Sequence, residues 1–114
     1  MSQANYVVPI VLGIVDAGDI SAVTWVEFDN TPLDGACFML RITNDSGSDI
    51  DISYDGIDSH EFIKAGNRIE VYFQTNSSPS GYVSKIKKGT KIYVQGAADQ
   101  GGTIYLAGYY NSTN

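Results

Sequence analysis

The sequence predicts an all-β fold, a two-sheet antiparallel sandwich of jelly-roll or immunoglobulin-like kind with about seven to eight strands. Three observations predict it. First, apolar residues recur with a period of two: Phe38, Leu40 and Ile42; Ile50, Ile52 and Tyr54; Ile69, Val71 and Phe73; Ile92 and Val94; Ile104 and Leu106. Strands with one dry and one wet face read this way. Second, turn-forming clusters separate these runs: Asp29–Gly35, Asn44–Ser48, Asp55-Gly56, Ala65–Asn67, Asn76–Gly81, Lys88-Gly89 and Gln100–Gly102. They supply positive-φ positions and side chains that close turns. Third, no window sustains the i, i+3, i+4, i+7 spacing of an amphipathic helix.

The remaining strands follow from apolar content. Tyr6–Val15 is the longest apolar run, and Ala22–Phe28 supplies another. Tyr6–Val15 contains Pro9 and Gly13 and falls well short of the roughly 20 residues that cross a bilayer, so it is expected to be a strand and not a membrane span. No basic residue precedes it, so it does not read as a secretory signal, and synthesis and assembly in a cytoplasm are expected. At 114 residues and 43% apolar content, residues 1–114 are expected to form one sandwich domain, with loose termini at about 1–5 and 111–114. Cys37 is the one cysteine. Between Ala36 and Phe38-Met39-Leu40 it is expected to be a buried or half-buried structural thiol rather than a reactive one, without an internal disulfide.

Charge is distributed unevenly. The net charge is -6, but residues 1–63 hold eleven acids and one base, whereas residues 64–114 hold six bases and two acids. The acidity argues against direct nucleic-acid binding. The division either balances within the folded sandwich or draws copies together head to tail.

Catalytic and metal-binding patterns are sparse. His60 lies among Asp55, Asp58, Ser59 and Glu61, but neighbours on a strand point to opposite faces, so a triad does not follow from adjacency. One histidine and one cysteine do not make a conventional zinc site. Asp45, Asp49, Asp51, Asp55 and Asp58 fit a solvated acidic edge better than a calcium loop, because the spacing lacks the glycine and acid that such a loop needs. No phosphate-binding loop is present. The matches to Asn-x-Ser/Thr at Asn44, Asn76 and Asn111 are expected to reflect loops rich in Asn and Ser. No enzyme activity and no cofactor are expected, the alternative being a small hydrolase that uses His60.

Two features point to binding instead. The segment from Lys85 to Lys91 carries Lys85, Lys87, Lys88 and Lys91, and is either a solvated loop or a contact for an acidic protein surface. If Ile69, Val71, Ile92, Val94, Ile104 and Leu106 face the core, then Tyr72, Tyr93 and Tyr105 face away from it. An outward aromatic stripe of Tyr72, Tyr93 and Tyr105 beside Lys87, Lys88 and Lys91 is thus the expected partner interface, with cross-strand tyrosine pairing as the alternative.

From Ile42 onward the chain reads Ile42-Thr43-Asn44-Asp45-Ser46, Ile52-Ser53-Tyr54-Asp55-Gly56, His60–Gly66, Lys88–Val94 and Thr103–Leu106. That succession resembles small virion structural proteins of tailed bacteriophages. The resemblance covers roughly the last two thirds of the chain and implies a non-enzymatic β-sandwich subunit at the capsid or the head-tail junction, bound to other virion proteins and to copies of itself. It carries no catalytic residue over. A virion location follows from the same resemblance, and the apolar strand in the first third is expected to add to a neighbour's sheet edge. The alternative from another class is a glycan-binding sandwich using the outward tyrosines, Trp25 and a cation at the acidic turn.

Overall fold

The computed structural model describes residues 5–72 and 85–113. Phe73 and the Asn76–Gly81 turn cluster lie outside the described residues. Among the described residues nine strands follow in order: β1 (Asn5–Pro9), β2 (Gly13–Asp16), β3 (Val26–Glu27), β4 (Cys37–Asp45), β5 (Ile50–Ser53), β6 (Glu61–Ile63), β7 (Arg68–Tyr72), β8 (Tyr93–Gly96) and β9 (Thr103–Thr113). One 3-10 turn at Ala17–Asp19 follows β2, capped by the Asp16 carboxylate accepting from the Gly18 N–H.

The strands form two antiparallel sheets. One has the order β1-β9-β4-β7, with β2 also on β9, and the other has the order β3-β8-β5-β6. The predicted sandwich is the fold. Alternation sets which side chains meet between the sheets. Leu40, Ile42 and Asn44 of β4 pair with Gly108, Leu106 and Ile104 of β9, and all six are buried. Ile50, Ile52, Ile63 and Val94 answer from the second sheet, joined by Phe28, Leu33 and Ile92. Cys37 is fully buried in this core, its Sγ 3.6 Å from the Gly35 carbonyl, and burial raises the thiol's pKa.

Asn44 is the polar member of the inward row and is fully buried. Its Nδ2 donates to the carbonyls of Ser48 (2.7 Å), Ile63 (3.2 Å) and Lys64 (3.3 Å), and its Oδ1 accepts from Ser46 Oγ at 2.6 Å. One amide thus ties the end of β4 to the β4–β5 turn and to the end of β6. A buried polar group is tolerated on these terms, with its hydrogen-bonding capacity used.

The structure corrects several expectations about the strands. Tyr6–Val15 is not one strand. Both β1 and β2 lie on the same side of β9, and the chain leaves the ladder between them after Pro9, where Asn30 Nδ2 donates to the Val11 carbonyl and to Leu106. The ends expected to be loose are strands as far as Asn5 and Thr113, which pair with each other. The largest correction concerns the tyrosines. Tyr72 and Tyr105 belong to the first sheet, on β7 and β9, but Tyr93 belongs to the second, on β8. No stripe joins the three, because strand pairing follows long-range topology that a period of two does not encode.

Candidate functional site

A cleft of about 450 Å³ lies on the outer side of the second sheet, lined by Tyr54, Asp55, Lys87, Lys88, Gly89, Thr90, Lys91 and Tyr93. Two turns build it. The first follows β5. Ser53 Oγ accepts from the N–H of Gly56 at 2.8 Å and donates to Asp55 Oδ1 at 2.9 Å. The same Oδ1 accepts from the N–H groups of Ile57 (2.8 Å) and Asp58 (3.0 Å). These donors, the Asp58 and Ile57 amides ahead of the Ser53 hydroxyl, stabilise the carboxylate and pull the Asp55 pKa down to about 2. Gly56 takes φ +76°, and the ring of Tyr93 lies against it. A side chain here meets both a strained backbone and that ring.

The second turn carries the lysines. Thr90 N–H and Oγ1 both donate to the Lys87 carbonyl, at 3.2 and 2.7 Å, and Gly89 takes φ +87°. Both flanks are clamped to the β3–β4 connection. Leu33 exchanges bonds with the turn, its N–H donating to Thr90 and its carbonyl accepting from Gly89, at 3.0 and 2.9 Å. Cys37 and Ile86 exchange two more, at 3.0 and 2.8 Å. The lysine segment is thus a solvated loop leading toward β8, tied by backbone bonds to Leu33 and Cys37. Lys85, Lys87, Lys88 and Lys91 are exposed, and among the described residues none is in an ion pair. A cluster of lysines on an acidic chain attracts an anionic surface, with the Asp55 carboxylate in the same cleft offsetting part of the charge.

The structure thus brings Tyr93 together with Lys87, Lys88 and Lys91, and leaves Tyr72 and Tyr105 elsewhere. Those two lie on the outer face of the first sheet, where Tyr72 is opposite Met39 and Tyr105 is opposite Thr43 and Ile14. Tyr109 shares that face, flanking with Tyr72 the 2.9 Å ion pair of Arg41 and Glu70. Tyr110 points inward and packs against the core and Gly35. Tyr54, in phase with Ile50 and Ile52, packs against the core as that phase implies, but its place in the cleft was not legible in the sequence. The strand ends at Ser53, and the turn sends the half-buried Tyr54 ring to stack on His60 at 5.5 Å between centroids. Burial and the Glu61 carboxylate raise the phenol's pKa.

Asp55, Asp58 and His60 present ligand atoms within 4.8 Å of one another, all on exposed residues. The histidine tautomer argues against a metal there. Nδ1 of His60 accepts from the Tyr54 N–H at 3.0 Å, so in the neutral ring the proton resides on Nε2, the nitrogen nearest Asp55. A metal-bound histidine shows the reverse, donating through its second nitrogen. The triad geometry is absent as well. Ser53 and His60 both address Asp55, at 2.9 and 3.9 Å, whereas a nucleophile needs the imidazole as its own neighbour. These groups lock a turn.

No helix among the described residues is long and apolar enough to cross a membrane, which says nothing of β-barrels. Comparison with known proteins finds no matching family model, curated protein or solved structure.

Proposed function

We propose that the chain is a non-enzymatic structural and assembly protein of a phage particle, docking through its lysine ledge onto an acidic surface of a capsid or neck and tail protein. The observation that carries the docking is the ledge itself: Lys87, Lys88 and Lys91 held beside Tyr54 and Tyr93 by backbone bonds to Leu33 and Cys37. Tyrosine contributes contact area at low entropic cost, and lysines at the rim set orientation and encounter rate. The succession of motifs from Ile42 to Leu106 supports the virion setting. Protein mass spectrometry of purified particles tests it: the chain is expected among the structural proteins, in many copies per particle. Absence from the particle contradicts the reading.

A second reading rests on the same cleft. Two tyrosines with lysines, Thr90 and Asp55 around an open cleft of about 450 Å³ also suit a sugar ring. Trp25 is half-buried and does not line the cleft, so a glycan would rest on Tyr54 and Tyr93. Binding on a glycan array, unchanged by chelator and lost in Tyr93→Ala, would favour this alternative.

A further inference from the structure

The ladder between β1 and β9 fixes which backbone groups of β1 point outward. Ile10 N–H donates to the Gly108 carbonyl at 2.9 Å, and the register continues through Val8↔Tyr110 and Tyr6↔Ser112. Bonded and non-bonded pairs alternate in an antiparallel ladder, so Val8 and Tyr6 also face β9 with both backbone groups. Asn5, Val7 and Pro9 consequently turn theirs away. Among the described residues no strand covers that side.

The sheet edges differ in how they discourage another strand. β7 carries Arg68 and Glu70, β3 carries Glu27 and β6 carries Glu61. Beside β2, Asp29 Oδ1 accepts the Ile14 N–H at 2.9 Å. Charged side chains and covered donors are the usual protection of edges. β1 has neither. No charged residue precedes Asp16, and Tyr6 and Val7 remain 51% and 62% exposed. Past Tyr110, where β4 begins at Cys37, β9 is paired among the described residues with β1 alone. A two-stranded ribbon is marginal in water unless further strands extend it.

We propose that β1 is a homodimer seam: two copies add edge to edge, antiparallel about a two-fold axis centred on Val7. The outward groups are self-complementary in this register. Val7 N–H and C=O bond Val7 C=O and N–H of the second copy, and each Asn5 N–H reaches the carbonyl of Pro9 opposite. Each Pro9, which has no N–H, stands opposite Asn5 and so costs one possible bond per side without blocking the strand. The result is a continuous β9-β1-β1-β9 arrangement across the dimer. Charge favours this seam over others, because each copy carries net -6 and the uncharged segment before Asp16 is where two such molecules approach without like charges facing. The seam is isologous, as a closed two-fold dimer requires. It stands apart from the lysine ledge, and either reading survives failure of the other.

Sedimentation equilibrium of the purified full chain, with site-directed crosslinking, tests it. Wild type is expected to be a dimer that dissociates on dilution. Val7→Pro deletes the central outward N–H without removing a bond to β9, and Val7→Lys puts like charges face to face. Each is expected to weaken dimerisation at least about tenfold, a change of about 1.4 kcal/mol, with far-UV circular dichroism unchanged. Val7→Cys is expected to crosslink to itself on mild oxidation, because bonded antiparallel pairs hold Cα atoms about 5.5 Å apart, within disulfide range. Tyr6→Cys stands opposite Val8 and is expected not to crosslink to itself. A wild-type monomer at high concentration overturns the proposal. So does a dimer that persists in Val7→Lys, or one in which Val7→Cys fails to crosslink.

Discussion

Replacing Asn44 by aspartate keeps the size of the side chain and removes both of its N–H donors. Three carbonyl oxygens, of Ser48, Ile63 and Lys64, then face an introduced carboxyl at 2.7 to 3.3 Å in a fully buried position. The ionised form is repelled by all three and has lost its water. The group therefore fits only when protonated, its O–H serving Ser48 and leaving the other two carbonyls without this donor. Taking up a proton at pH 7 costs about 1.36 kcal/mol for each of roughly three pH units above the ordinary carboxyl value near 3.9, or about 4 kcal/mol. The lost hydrogen bonding adds about 1 kcal/mol. The variant is thus expected to be destabilised by about 5 kcal/mol at pH 7, a large share of the roughly 5–15 kcal/mol typical of a domain. The sign with pH is definite: the introduced group has a folded pKa above its unfolded one, so the penalty is full above the folded value and shrinks toward about 1 kcal/mol as pH falls to 4. Urea unfolding of both proteins at pH 7 and pH 4 measures it, with the midpoint at pH 7 falling by roughly 2 M or more. A difference under about 1 kcal/mol at pH 7, or one that does not shrink on acidification, would refute the assignment of Asn44 as the buried tie.

Three further outcomes follow from the packing. Gly35→Ala directs a Cβ into the Tyr110 ring, 2.6 Å away without adjustment, and is expected to cost about 1–3 kcal/mol in thermal or urea unfolding. Asp55, held at about 2, contributes stability that is present above the ordinary carboxylate range and lost as pH falls through that value; Asp55→Asn should remove this acid limb and speed hydrogen exchange at the Ile57 and Asp58 amides. Cys37, buried with its thiol pKa raised, is expected to react with a thiol reagent only as fast as the domain opens, so labelling rate and unfolding rate coincide in rising urea.

The alternation of Leu40 with Ile42 and of Ile104 with Leu106 makes the sandwich and its inward faces legible, because a half-buried strand imposes that pattern on its own residues. Tyr6–Val15 reads as one strand despite Pro9 and Gly13, and its division into two strands along β9 follows from pairing with residues distant in the chain. What stayed hidden depends on partners distant in the chain. Tyr93 resembles Tyr72 and Tyr105 in local context, and only the order β3-β8-β5-β6 separates it from them. Asn44 reads as a turn residue beside Asp45 and Ser46, yet it ends the inward row of β4, since the carbonyls that accept from it come from 19 and 20 residues away as well as from the local turn. The lysines were visible as a cluster. Their backbone ties to Leu33 and Cys37 were not, because those partners lie far away in the chain.

The most direct test of the account counts copies of the chain in particles produced with the triple substitution Lys87→Glu, Lys88→Glu and Lys91→Glu, beside particles carrying the wild-type chain. Quantitative mass spectrometry is expected to find the wild-type protein in many copies and the folded, charge-reversed protein nearly absent, with wild-type association weakening as salt rises. Equal incorporation of the two proteins, or wild-type particles lacking the chain, would contradict a lysine ledge that docks this sandwich onto the virion.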